Sequence, residues 1–390
     1  GDEWQIDTAY DYPLQNVFYQ VAPSTRTGWR SQSVLGGLVT AQRIAWYVDD
    51  TAQDMTVLGN DAVCITLQDI NFGDFEIQRH NGSTWSTIAT YDNKVYNGNF
   101  VRDGASVRAL ADSGYPYLFF NECAQWYARM TNGGTTKVRK VRTNSEGVFG
   151  LIGSGTKYAV LQLEGIDGTE PTSGTLELIP NRCTVVVNLK GTGNNREAKA
   201  FALNIEQQYT NEEYFKIGTL GFGELLVPGR QYSRGRTISF EAGVQENQRN
   251  DGTLYTRDTG NTGRRVRVAW VEGVDISDLY ESDADPDFWI GTTSSGGEAI
   301  AALNDVPDLM IGLARYLNGS QNPLVYLPYL DKSTGAQDNQ IFNRYSNHML
   351  CTLDGDVQIE NVLGDEWNNR TTSTQGELMR IATINLREVR

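Results

Sequence analysis

Histidine and cysteine are scarce in this chain. Of 390 residues, two are His (His80, His348) and four are Cys (Cys64, Cys123, Cys183, Cys351). No two cysteines are near neighbours, so there is no C-x-x-C pair, and two histidines are too few to complete a zinc site with them. Three of the thiols lie inside apolar runs, DAVCITL, NRCTVVV and HMLCTL, where a free thiol packs as a small hydrophobe. There is no G-x-S-x-G nucleophile elbow, and neither histidine has a signature partner. His80 falls in a turn and His348 beside an apolar run, so a surface or hydrogen-bonded histidine accounts for each. No cofactor is expected, and the chain does not read as an enzyme.

Basic residues are also in deficit, at 33 Lys and Arg against 48 Asp and Glu, for a net charge of −15. Phosphate binding needs clustered cations, so nucleic acid is not an expected partner. No apolar run is long enough to cross a bilayer. The opening GDEWQIDTAYDY is acidic and aromatic, unlike a secretory leader. No membrane insertion is expected, and the chain reads as one made and folded in a cytoplasm.

What the chain does have is glycine, tyrosine and tryptophan: 40, 19 and 8 residues. Aromatics and turn formers without long helical stretches point to strands and turns. Short apolar–polar alternations recur at the spacing of a sandwich or barrel, as in CITLQDINFGDFEIQRH, KYAVLQLEGI, RCTVVVNLKG and GRRVRVAWVEGV. His80-Asn81-Gly82-Ser83 reads as a hairpin turn, since Asn-Gly supplies positive φ. The expected fold is all-β, with two β-sandwich-like domains and a small helical insertion near 296–318. In that insertion Leu309, Leu313, Tyr316 and Leu317 share one helical face. Asp305 is the N-cap, Pro307 lies in the first turn, and Gly319 and Pro323 close the segment. The domains are placed at 1–30 (an arm), 31–150, and 151–390 with the insertion at 276–323. The boundary rests on the Gly/Ser-rich TNSEGVFGLIGSGT, 143–156.

Four motifs invite a chemical reading. EYFKIGTLGFGELLVPG, 213–229, sets Gly218, Gly221 and Gly223 in the order G-x-x-G-x-G. A dinucleotide loop needs G-x-G-x-x-G opening a helix, and Pro228-Gly229 ends any helix here. The glycines are read as strand glycines marking bends or close backbone approach. ESDADPDF places Asp283, Asp285 and Asp287 as in the first half of a calcium loop. Its sixth position is Phe288 and its twelfth Ser294, so these are weak metal candidates against a solvated acidic loop, and Asp354 and Asp356 are weaker. Paired carboxylates could serve glycoside hydrolysis, but 48 acidic residues single out no pair. Finally, arginines cluster at GRQYSRGR (Arg230, Arg234, Arg236) and TGRRVRVAW (Arg264, Arg265, Arg267). In alternating strands they would line one face, either as a solvated face with local ion pairs or as a stripe meeting an acidic surface on another subunit.

The second half, about 195–390, resembles structural proteins at the tail tip of long-tailed bacteriophages, of the distal-tail or minor-tail kind. The residues that carry the resemblance are an IG-x-L-x-x-G strand (IGTLGFG), an R-x-x-R-x-x-W strand (RRVRVAW) and a closing strand ending in Glu-Val (IATINLREV). The resemblance implies a virion protein, assembled in the host cytoplasm. It would form a ring, commonly a hexamer, that joins the tail tube to the baseplate hub and fibres. The six arginines would be candidate subunit contacts, with the 278–287 loop as their acidic counterpart. The alternative is a carbohydrate- or receptor-binding module of the virion, with a glycan-degrading enzyme third.

Overall fold

The computed structural model describes residues 28–34, 36–48, 53–54, 62–111, 126–142, 149–152, 156–189, 197–224, 236–240, 244–248, 254–258, 264–275, 323–328, 340–343, 348–363 and 377–388. All regular secondary structure among them is strand, in antiparallel sheets, which bears out the all-β, sandwich-like expectation. Of the expected arm, only 28–30 are described, and Trp29–Arg30 pairs with Lys216–Ile217. The expected helix and its cap and stop signals at 305–319 lie outside the described residues. The chain divides into two units, one made of Gly1–Leu225 with Leu327–His348 and the other of Leu226–Tyr326 with Met349–Arg390.

The first unit contains a sandwich. One four-stranded sheet runs in the order Thr219–Glu224, Ala62–Gln68, Arg182–Asn188, Gln340–Phe342. The other runs Gln42–Tyr47, Ala200–Ile205, Asp74–His80, Trp85–Asp92. The alternation anticipated in the sequence builds the layer between them. Val63, Ile65, Leu67, Cys183, Val185 and Val187 come from the first sheet, and Ile44, Phe201, Leu203, Ile205, Phe75 and Ile77 from the second. At roughly 1.5–3 kcal/mol for each large apolar side chain, this layer is the main source of the unit's stability. The hairpin expected at His80–Ser83 joins Asp74–His80 to Trp85–Asp92. Gly82 has φ 97°, and Asn81 Oδ1 accepts from the Ser83 and Thr84 amides at 3.0 and 2.9 Å.

Between the sandwich strands Trp85–Asp92 and Arg182–Asn188 the chain builds a second body. Its sheet runs in the order Thr135–Lys140, Trp126–Asn132, Ser173–Pro180, Tyr96–Asp103, Ser106–Ala111, Thr156–Gln162, Phe149–Ile152. A Val141–Leu163 bridge, with Arg142 N–H to Gln162 O at 2.8 Å and Glu164 N–H to Lys140 O at 2.9 Å, joins the first of these strands to the sixth. The sheet therefore closes into a small barrel, which removes its open edges. Phe100, Val107, Trp126, Met130, Leu161, Leu176 and Leu178 are part of its core. The boundary expected near residue 150 therefore falls inside one sheet. Its Gly/Ser-rich stretch connects strands of the barrel: Phe149–Ile152 pairs with Thr156–Gln162, which pairs with Ser106–Ala111.

A cluster of charged residues joins barrel to sandwich. Arg129, on a barrel strand, reaches Glu177 Oε2 at 2.5 Å and Asp74 Oδ2 at 2.9 Å. Lys94, in the connection, lies 3.0–3.2 Å from Asp74, Asp92 and Glu177. Gln208 accepts from the Gly73 amide at 2.8 Å and donates to Asp74 O at 2.8 Å. Burial disfavours the charges on Lys94 and Arg129, yet the surrounding carboxylates outweigh it and raise both pKa values. Burial pushes the Asp92 carboxyl up, against the pull of Lys94.

The second unit is a six-stranded sheet in the order Arg236–Phe240, Arg264–Asp275, Glu377–Glu388, Met349–Leu353, Leu324–Tyr326, with Gln358–Leu363 also on Glu377–Glu388. The strands Arg264–Asp275 and Glu377–Glu388, 12 residues each, pair from Arg265↔Arg387 to Asp275↔Glu377. One face carries the core of Val266, Val268, Met349, Cys351, Leu353, Ile384 and Leu386.

Candidate assembly interface

Alternation in Arg264–Asp275 separates the three arginines that the sequence groups together. Arg264, Val266 and Val268 are buried, while Arg265 and Arg267 are exposed. Arg264 lies at 5 % exposure and does not contribute to an outer stripe. Its guanidinium meets Glu388, with Nη2 to Oε1 at 3.0 Å and Nε to Oε2 at 3.3 Å, and its amide donates to Oε2 at 3.1 Å. The reason is the period of two: adjacent residues on a strand point to opposite faces.

The outer face carries a different arginine set. Arg265 and Arg387, both exposed, sit directly opposite each other across the two long strands. Arg267 follows on the same row as Asn385. On the next strand Thr237 opposes Arg267 and Ser239 opposes Arg265, and both are exposed. Asp354 supplies a carboxylate, its Oδ2 3.2 Å from Arg265 Nε; this is the Asp354 considered above as a weak cation ligand. Arg387 was missed because it stands alone in its own segment, and only the register of the closing strand brings it beside Arg265.

Of the other expected contacts, Arg236 opposes Val268 across the ladder. Arg230, Arg234, the Asp283, Asp285, Asp287 loop and Cys123 lie outside the described residues. Among the described residues no group of His, Cys, Asp or Glu could hold a metal ion. Cys64, Cys183 and Cys351 are free thiols. Burial pushes the pKa of Cys64 up to about 12 and those of Cys183 and Cys351 up as well, which disfavours the reactive thiolate. His80 Nδ1 accepts from the Gly82 amide at 3.2 Å, and His348 is buried beside the second unit's core residue Met349.

One further surface combines aromatic and polar groups on the outer side of the sandwich. The Arg43 guanidinium lies 4.0 Å from the centre of the Trp85 ring, and His80 packs on Trp85 at 5.0 Å. Glu76 Oε2 accepts from Asn204 Nδ2 at 3.1 Å, Gln78 Nε2 at 3.3 Å and Thr87 Oγ1 at 3.3 Å. No helix among the described residues is long and apolar enough to cross a membrane. No family model, no curated protein and no solved structure matches this chain.

Proposed function

We propose that this chain is a structural protein of a bacteriophage tail, assembling in the host cytoplasm into a ring at the tail tip that joins the tube to the baseplate hub and fibres. The observation that carries this reading is the basic outer face of the second unit. Arg265, Arg267 and Arg387 stand exposed on a chain of net charge −15, on the two strands that bear part of the tail-protein resemblance. Like charges set directly opposite weaken a sheet, so this pattern serves contact with something else better than it serves the fold. Ring contacts are heterologous, with one surface meeting a different surface on the next copy, and a basic patch on an acidic protein suits them. Mass photometry and negative-stain electron microscopy of the purified chain test this. Closed rings with a central channel are expected, and a monomer at all accessible concentrations would rule the ring out.

A glycan-binding module is the second reading, favoured by the Trp85, Arg43, Asn204 and Glu76 surface. Aromatic rings beside hydrogen-bonding side chains are what sugar recognition uses. Retention of a monomer on immobilised polysaccharide, lost in Trp85→Ala, is the result that would favour it.

A further inference from the structure

We infer that the outer face bearing Arg265, Arg267 and Arg387 docks on an acidic surface of a second copy of this chain, and that the contact forms only within a window of ionic strength. The inference rests on the assembly reading above and names its surface and partner. Arg265 and Arg387 oppose each other in register, at a cost to pairing that the sheet itself does not require. Thr237 and Ser239 flank them with small neutral side chains. The guanidinium groups therefore stand clear of bulky neighbours on that side. Asp354 at 3.2 Å from Arg265 is one carboxylate among three guanidinium groups. With 48 acidic to 33 basic residues in the chain, the acid excess lies away from this face, on surfaces that a second copy presents. Guanidinium–carboxylate pairs are directional and often bidentate, so such a contact would be specific in orientation as well as attractive.

Nucleic acid is the competing polyanion, and salt separates the two partners. Two bodies of net charge −15 repel each other at long range. At about 0.1 M salt the screening length is about 10 Å, which removes that repulsion and leaves contact pairs intact; at about 1 M it is about 3 Å, and the pairs weaken too. Self-association therefore rises and then falls with salt. Nucleic-acid binding, driven by counterion release, falls steadily instead.

The test is sedimentation velocity of the full chain in NaCl from about 0.01 M to about 1 M, with a DNA duplex as a separate probe. The parent is expected to associate most strongly at intermediate salt. Arg387→Glu turns the opposed like charges into an opposite pair, so its melting temperature should equal or exceed the parent's. Its self-association, and that of Arg267→Glu, should weaken by at least about tenfold. Parent-like association in both variants would overturn this face while leaving the assembly reading in place. A parent that stays monomeric at every salt would overturn the assembly reading with it. Duplex binding that falls steadily with salt and is lost in Arg387→Glu would overturn the second copy as the occupant.

Discussion

Arg264 and Arg265 are neighbours in sequence and opposites in role. Arg264 and Glu388 have side-chain exposures of 6 % and 2 %, and a buried pair of this kind is costly to break from one side. Arg264→Ala strands a buried carboxylate, and the expected loss is roughly 3–5 kcal/mol in urea unfolding. The double variant Arg264→Met with Glu388→Leu removes both charges and should recover most of that loss. A single variant as stable as the parent would show that the pair contributes nothing. Asp167 gives a second case, in the barrel. The Thr169 hydroxyl and amide donate to its Oδ1 at 2.6 and 2.9 Å, and Arg139 lies 3.1 Å from Oδ2. Chiefly through the Thr169 hydroxyl, these contacts lower its pKa from 3.8 to about 2. A depressed carboxyl pKa gives stability that is present above the unfolded value and lost as pH falls through the folded one. The window is therefore pH 3.8 down to about 2. An NMR titration of the Asp167 carboxyl should show its midpoint near the bottom of that window. A midpoint at 3.8 would dismiss the hydrogen bonds as weak. Glu170 behaves alike: burial opposes its charge, but the Asp167 and Gly168 amides and Arg139 hold its pKa down.

At the scale of elements, the stretch KIGTLGFGEL shows how far the sequence reading reached. The order of its glycines excludes a phosphate loop, and the chain there is two strands, Lys216–Ile217 and Thr219–Glu224, the latter against Ala62–Gln68. Close backbone approach holds for one glycine and not for all three. A Cβ on Gly218 would stand 2.8 Å from Asp69 Cβ and 3.2 Å from Gln68 O, whereas one on Gly223 meets nothing within 4 Å. Gly218→Ala should cost roughly 1–3 kcal/mol and Gly223→Ala stay within about 0.5 kcal/mol, both read from thermal melts. Equal effects would refute the contrast. The hairpin at His80–Ser83 was legible because Asn-Gly fixes backbone geometry over two residues. Barrel closure was not, because it rests on pairing Val141 with Leu163, which no local pattern encodes. The charged cluster was illegible for the same reason: Asp74, Lys94, Arg129 and Glu177 come together only through long-range register.

At the scale of the whole molecule, the chain passes between its two units three times, after Leu225, after Tyr326 and after His348. The sequence suggested a single boundary instead. A Gly/Ser-rich stretch reads alike whether it links domains or strands of one barrel, and nothing local reveals that a segment returns to an earlier sheet. The return, Leu327–His348, places Gln340–Phe342 on Arg182–Asn188 with Val185↔Ile341 in register, and Asn343 Nδ2 donates to Lys94 O at 3.3 Å. Arg182–Asn188 carries Cys183, Val185 and Val187 into the sandwich core, so its far edge is covered by a strand that the chain reaches only after leaving the unit. A truncation ending at Leu225 keeps every other strand of the first unit but bares that edge, and an open edge beside a buried apolar strand is a template for association. The truncated protein should melt at a lower temperature than the full chain and aggregate at concentrations where the full chain stays in solution. A synthetic peptide of residues 327–348 added to it should restore both properties. The decisive measurement is the aggregation rate with and without peptide. If the truncation is as stable as the full chain, or the peptide has no effect, the returning strand does not seal the sandwich.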